Sequence, residues 1–468
     1  MSTNLRLRYA VLTLAPLVLL ALAAACGEQD DLSGETDAVR TALASEIAGT
    51  STTTAPTQAA TPTPGPPRTL GTSAGVTTTA RAPDFEALPG ATAYFGPLGD
   101  AVYRMEVPDD WNGELVLWAH GYRGPGTEVY VDNLPGALRR AVIEGGFAWA
   151  ASSYSENGYT PGIGADDTLA LKDHFEAEVG PAERTYLVGA SMGGHVVALS
   201  LEHFPDEYDG ALAVCGALGG EEIIDYLFSW NLAAEYVTGV EVPTGSGAAA
   251  RVGAVLMQFT SMLGPIESPT QRGRQFESII RMNTGGPRPF FEEGFREQYP
   301  VNFAFLLLDA ELRSLPARAA TNDYVEYEIE EGLGLTSEEV NAGIRRLSAD
   351  PAARNAESHP DAVPTSGRID DPMLTLHGTG DLFVPISMEQ SYRRKVDAAG
   401  KGDLLVQRAI RSGGHCKFSE AELQTAWDDL VAWVRDGDKP AGEDLLGDLS
   451  DAGREFTNPL RPDDPGTK

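Results

Sequence analysis

Cysteine is nearly absent: 468 residues carry only Cys26, Cys215 and Cys416. That excludes a scaffold stapled by disulfides, and no Cys/His cluster has the spacing of a metal site. Basic residues are scarce as well, with 35 Lys and Arg against 68 Asp and Glu and a formal net charge of −33. Without a basic stripe there is no footprint for a phosphate backbone, so nucleic acid is not an expected partner. Acidity alone names no substrate and fits a solvated surface outside the cell. There is no phosphate loop and no internal repeat at solenoid periods, and no cofactor is expected. What is present is a hydrophobic content of 42%, enough for a packed core in one large domain or two ordinary ones.

The N-terminus has the three parts of a secretory signal. Arg6 and Arg8 precede an apolar run from Ala10 to Ala24, and small residues lead to Cys26. Ala23-Ala24-Ala25-Cys26 resembles the lipobox of bacterial lipoproteins. That resemblance implies lipidation at Cys26 and an extracytoplasmic protein whose only membrane contact is an N-terminal anchor. Ordinary cleavage with Cys26 incidental is the other reading. An odd cysteine count is awkward for a secreted chain, and lipidation of Cys26 would leave Cys215 and Cys416 free to pair. Residues 27–83, dominated by Thr, Ala, Pro and Gly, cannot bury enough surface to offset their ordering entropy and read as a flexible tether. The acidic tail, 437–468, reads as loosely ordered, although its Leu residues could dock.

Between these ends, strand and helix signals alternate over 84–436. Ala101 to Val107, Glu114 to Ala119, Phe147 to Ser152, Thr185 to Val188 and Ala211 to Val214 read as strands. Helical patterns cover Leu134 to Glu144, Asp166 to Val179 and Gly193 to Phe204. This rhythm predicts an α/β fold with a mostly parallel sheet and helices on both faces. It stops across 219–368, which is mainly helical. It resumes with a strand at Met373 to Leu376, a helix over Ser387 to Ala398, a strand at Leu404 to Ile410 and a helix from Glu420 to Val434. The interruption reads as an inserted cap, since a plain loop of that length is improbable. Its aromatic and Met residues (Trp230, Tyr236, Met257, Phe259, Met262, Phe290, Phe291, Phe303, Phe305) fit an apolar substrate pocket or the cap's own core equally well.

Gly189-Ala190-Ser191-Met192-Gly193 follows a strand and opens a helix. A serine on such a tight turn stands clear of the sheet, and flanking glycines let neighbouring backbone approach. A serine hydroxyl needs a base. Of seven His, His120 and His377 precede Gly at strand ends, where turn geometry is the default. His174 and His203 read as helix-surface residues, His195 should point into the scaffold, and His359 falls in the cap or its exit loop. His415, in Ser412-Gly413-Gly414-His415-Cys416, sits on a flexible loop after the last strand, from which a base reaches the carboxyl edge of the sheet. Asp381, in His377-Gly378-Thr379-Gly380-Asp381, follows its strand and is the candidate acid. Asp225, Asp370 and Asp371 are rivals, the last two at the wrong end of their strand. Backbone N–H groups of Met192 and Tyr122 are the candidate oxyanion donors.

Taken together, H-G-Y-R-G, G-A-S-M-G-G, H-G-T-G-D-L-F-V-P and G-G-H-C resemble the α/β-hydrolase superfamily from about Ala101 to Val434. The resemblance implies an acyl-enzyme on Ser191, hydrolysed by water that His415 activates. The His-Cys pair resembles feruloyl esterases and tannases, in which a Cys beside the base is disulfide-bonded to one beside the nucleophile. Here Ala190 precedes Ser191, and Cys215, ending the next strand, is the substitute partner. A Cys215–Cys416 disulfide is expected, with two buried thiols as the alternative. The leading expectation is a carboxylic-ester hydrolase acting on a small-molecule or polymer ester. A serine peptidase is second, with Glu221-Glu222 and Glu292-Glu293 as acidic pairs that could face a substrate amine. A non-catalytic surface-binding protein is third. Oligomeric state is left open.

Overall fold

The computed structural model describes residues 70, 77–81, 85–124, 126–243, 249–312, 319–352, 354 and 363–459. The expected signal, Cys26, almost all of the tether, and His359 lie outside them. Among the described residues no helix is long and apolar enough to cross a membrane.

Eight strands form the main sheet: β1 (Ala91–Leu98), β2 (Ala101–Pro108), β3 (Glu114–Ala119), β4 (Ala148–Ser152), β5 (Arg184–Ala190), β6 (Gly210–Val214), β7 (Met373–Gly378) and β8 (Leu405–Ile410). Their spatial order is β1-β2-β4-β3-β5-β6-β7-β8. β2 runs antiparallel to both β1 and β4, and every pairing from β4 through β8 is parallel. β3 to β8 are buried along their length, Arg184 at the start of β5 excepted, which is why they read as largely continuous apolar runs rather than alternating ones.

Successive side chains leave a strand on opposite faces, and the sequence uses both. Leu115, Leu117 and Leu187 face α2 (Pro161–Glu178), α3 (Met192–His203) and α9 (Ser387–Ala398). Val116, Trp118, Tyr186 and Val188 face α1 (Gly136–Glu144) and α10 (Glu420–Asp436). The last helix is well delimited. Ser419 and Glu422 form a capping box at its start, and Gly437 closes it at φ 78°.

Between β6 and β7 the cap holds α4 (Glu222–Thr238), α5 (Ala249–Leu263), α6 (Gln271–Asn283), α7 (Phe291–Leu312) and α8 (Ser337–Gly343). Trp230, Phe259, Phe276, Phe291, Phe295 and Phe303 form one buried aromatic cluster. Those aromatics are therefore the cap's own core, whereas Met257 lies exposed.

Three sequence expectations change. α2 starts earlier than Asp166, at Pro161, because Pro is tolerated at the first helical position. His174, expected on the surface, is half-buried with its ring 4.5 Å from Tyr103. The tail up to residue 459 is docked: Leu445, Leu449 and Ala452 are buried against Ile386 and Ala409. There it covers the open edge of β8, with Glu443 N–H on Gln407 O at 2.7 Å and Ala409 N–H on Glu443 Oε2 at 2.9 Å.

Candidate active site

β5 ends at Ala190 and α3 begins at Met192, so one residue makes the turn. Ser191 adopts φ 57° and ψ −119°, a conformation costly for any side chain that bears a Cβ. The surroundings demand glycine. A Cβ on Gly193 would stand 2.0 Å from Ala119 O, and one on Gly189 would stand 2.3 Å from Gly193 O. The turn is fixed by Ser191 N–H on Val214 O at 3.0 Å and by Ala217 N–H on Ser191 O at 3.0 Å. Ser191 thus rests against the ends of β3 and β6, and it is buried.

The loop after β8 brings His415 over this turn. His415 Nε2 lies 2.9 Å from Ser191 Oγ, and Nδ1 lies 2.6 Å from Asp381 Oδ2. Asp381 is fully buried, and its other oxygen accepts the N–H groups of Phe383 and Val384, each at 3.0 Å. Those donors compensate burial of a carboxylate. The Phe383 ring meets the imidazole edge-on at 5.0 Å. The structure therefore brings the three expected side chains into one hydrogen-bonded line.

Cys215 and Cys416 are disulfide-bonded, with Cα atoms 5.2 Å apart. Cys416 Sγ lies 3.4 Å from His415 Nε2, so the cross-link backs the imidazole directly. Met192 opens α3, where first-turn N–H groups have no partner within the helix. Tyr122 lies in the buried loop that follows β3. That loop is held by Arg123, whose guanidinium meets Asp132 at 2.7 Å, and by Tyr154, whose hydroxyl donates to His120 O at 3.2 Å.

The rival candidates are occupied elsewhere. His195 is buried between Tyr159 and the Val363 carbonyl, and burial pushes its pKa down to about 3. His377 is not in a turn but inside β7, facing Glu389 at 3.3 Å and Val384 O at 2.8 Å. Burial, the largest single influence, acts to lower its pKa, but the hydrogen bond and charge of Glu389, the charge of Asp381 and the Val384 carbonyl together raise it. Asp225 is paired with both terminal nitrogens of Arg354 at 2.7 and 2.8 Å. Asp370 and Asp371 precede β7, at the end of the sheet away from Ser191. Glu221 faces Arg354 at 3.6 Å, Glu222 faces Lys395 at 2.9 Å and Glu292 faces Arg281 at 3.4 Å. These three carboxylates are already matched to cations of the chain, and Glu293 packs against Gly413.

Sequence reading missed the groups that hold the acid turn. Tyr226 from α4 and Asn302 from α7 both donate to Leu382 O, at 2.5 and 2.7 Å, and Arg288 Nε donates to Thr379 O at 2.6 Å. All three come from the cap, 80 to 156 residues before the carbonyls they bond, and carry no local signal.

No family model matches the sequence. An o-phthalyl amidase from Xanthobacter agilis is 24% identical over 433 residues, covering 78% of this chain and 92% of that protein. Among solved structures, a puromycin hydrolase is similar with a TM-score of 0.38 and 16% identity, over 77% of this chain and 42% of that one. This chain thus spans less than half the length of that hydrolase. Feruloyl esterase B from Aspergillus oryzae has a TM-score of 0.38 and 17% identity, over 74% of this chain and 80% of that one. The mostly parallel sheet with its antiparallel β2, helices on both faces and a strained serine turn joining β5 to α3 make this an α/β-hydrolase fold.

Proposed function

We propose that the chain hydrolyses carboxylic acyl derivatives through an acyl-enzyme on Ser191, with carboxylic esters as the leading substrate class. The observation that carries this reading is the continuous line from Ser191 Oγ to His415 at 2.9 Å and on to Asp381 at 2.6 Å. His415 Nε2 takes the hydroxyl proton as Oγ bonds to the acyl carbon. Asp381 holds the Nδ1–H tautomer and stabilises the imidazolium that forms. The N–H groups of Met192 and Tyr122 receive the developing oxyanion. Collapse of the tetrahedral intermediate expels the leaving group, which takes the proton from His415. Water, deprotonated by the same imidazole, then releases the acid. No step calls for a cofactor.

Amide cleavage is the second reading, favoured by the sequence likeness to the o-phthalyl amidase. The same triad serves both reactions. The pairing of Glu221, Glu222 and Glu292 with cations of the chain speaks against a peptidase that selects a free amine through those groups. An oxidising, extracytoplasmic location is supported by the disulfide. The test is parallel assay of p-nitrophenyl esters and acyl p-nitroanilides, with fluorophosphonate labelling of wild type and Ser191→Ala. Ester turnover and labelling that both vanish in Ser191→Ala are expected. Turnover of anilides alone would reverse the order of the two substrate classes, and labelling that survives Ser191→Ala would remove the nucleophile.

A further inference from the structure

The turn from Thr379 to Val384 carries Asp381 and is gripped from two sides. The sheet domain holds its amides: Thr379 N–H bonds Ile410 O and Gly380 N–H bonds Ser412 O, both at 2.8 Å. The cap holds its carbonyls. Leu382 O accepts from Tyr226 Oη at 2.5 Å and from Asn302 Nδ2 at 2.7 Å, and Asn302 also donates to the Tyr226 hydroxyl at 3.2 Å. Thr379 O accepts from Arg288 Nε at 2.6 Å.

Asn302, Arg288 and Tyr226 are all buried. Arg288 gives its remaining hydrogen bonds to Gly286 O at 2.8 Å and Thr284 Oγ1 at 3.1 Å, and its guanidinium lies 5.2 Å from the centre of the Phe291 ring. Burial lowers its pKa to about 10, so it remains a cation at neutral pH, in the field of Asp381.

The backbones are in contact as well. A Cβ on Gly294 of α7 would stand 1.6 Å from Gly380 O. A Cβ on Gly380 would stand 2.2 Å from Phe290 O and 2.8 Å from Gly413 Cα, in the loop that leads to His415. Glu297 of α7 pairs with Lys417, two residues past His415, at 2.6 Å. The root of the cap, the acid turn and the base loop therefore form one packed block. A cap swinging open at this root would strip buried carbonyls of their donors, a change that folded proteins avoid.

We propose that Tyr226, Arg288 and Asn302 are positioning residues, and that the cap fixes where Asp381 stands and so sets the turnover number of the site. This rests on the reading of Ser191, His415 and Asp381 as a hydrolytic triad. The cap then differs from a lid that only admits substrate. A lid residue changes KM in a way that depends on the acyl chain, whereas a clamp on the acid changes kcat alike for every chain.

The test uses Tyr226→Phe, Asn302→Leu and the double variant on p-nitrophenyl acetate, butyrate and octanoate. Thermal melts verify the fold. Each single change removes one donor from Leu382 O and leaves the other. Each is expected to lower kcat about threefold to tenfold, and the double variant about a hundredfold, since small displacements of a triad member cost that much. KM should stay within about twofold of wild type on all three esters, as for any group acting after binding. If the double variant fails to fold, the single variants decide, because Tyr226→Phe deletes only one oxygen. Wild-type kcat in folded single variants, or a KM change that grows with acyl length, would overturn the clamp. Ser191→Ala is run beside them. Turnover surviving there defeats the triad itself, whereas turnover lost there but untouched in the double variant defeats the clamp alone.

Discussion

The Cys215–Cys416 disulfide closes a loop of 201 residues that encloses the whole cap. Cutting it, by reductant or by Cys215→Ala with Cys416→Ala, frees the unfolded chain. For a loop of that length the chain-entropy relation gives about 5 kcal/mol. Losses for native disulfides fall at or below this figure, so a net loss of about 2–5 kcal/mol is expected.

Urea denaturation with and without reductant measures that loss directly. The double alanine variant should match the reduced protein and ignore reductant. Activity should fall with stability but for a separate reason. Cys416 follows His415 and its sulfur lies 3.4 Å from Nε2, so cutting the bond unpins the group that backs the imidazole. A drop in kcat of about tenfold is expected under conditions where the reduced protein is still folded. Two reactive thiols in unreduced, denatured protein would remove the premise. A reduced protein destabilised by less than about 1 kcal/mol would refute the loop-entropy reasoning even with the disulfide present.

Gly193→Ala should lose fluorophosphonate labelling by at least about a hundredfold, because its Cβ would stand 2.0 Å from Ala119 O and the turn would shift. Asp167 has its pKa raised to about 6 by burial, against 3.8 for the free group, so ionising it costs the folded state more than the unfolded one. Stability from this group is unaffected below about pH 4, falls as pH rises to about 6 and stays low above that. Asp167→Asn should therefore stabilise by on the order of 2 kcal/mol at pH 7 and little at pH 4, read from melts at both values. A larger gain at pH 4 would contradict the sign. Ending the chain at residue 440 removes Leu445 and Leu449 from their buried sites and uncovers β8. Losses of about 4 kcal/mol and a shift toward aggregates in size-exclusion chromatography are expected.

What sequence could say of this protein followed from how local each signal is. The serine turn, the Gly-Asp turn after β7 and the Gly-Gly-His loop after β8 each need particular backbone freedom next to a particular side chain, so a few adjacent residues announce them. β1 carried no such signal. Its side chains are half-buried or exposed and it contains Gly96 and Pro97, as an edge strand permits, so no run of buried residues marks it. The first turn of α2 hid for a related reason. Gly162 and Gly164 disfavour a helix in isolation, yet Gly164 lies where a Cβ would meet Val196 at 2.8 Å, so the helix needs glycine for its approach to α3.

The contribution of the cap to the site was invisible on another ground. Tyr226, Arg288 and Asn302 are an ordinary tyrosine, arginine and asparagine in a helical stretch. Their meaning lies in two carbonyls of a turn that is far away in the chain. A carbonyl has no residue identity, and any amino acid at 379 or 382 presents the same oxygen. A clamp built from side chain to backbone leaves a mark on only one partner, whereas a triad marks all three. The three residues of the proposed triad can therefore be named from sequence, while the side chains that bond the turn of its acid cannot. In this fold the difference falls along the line between the sheet domain and its insertion.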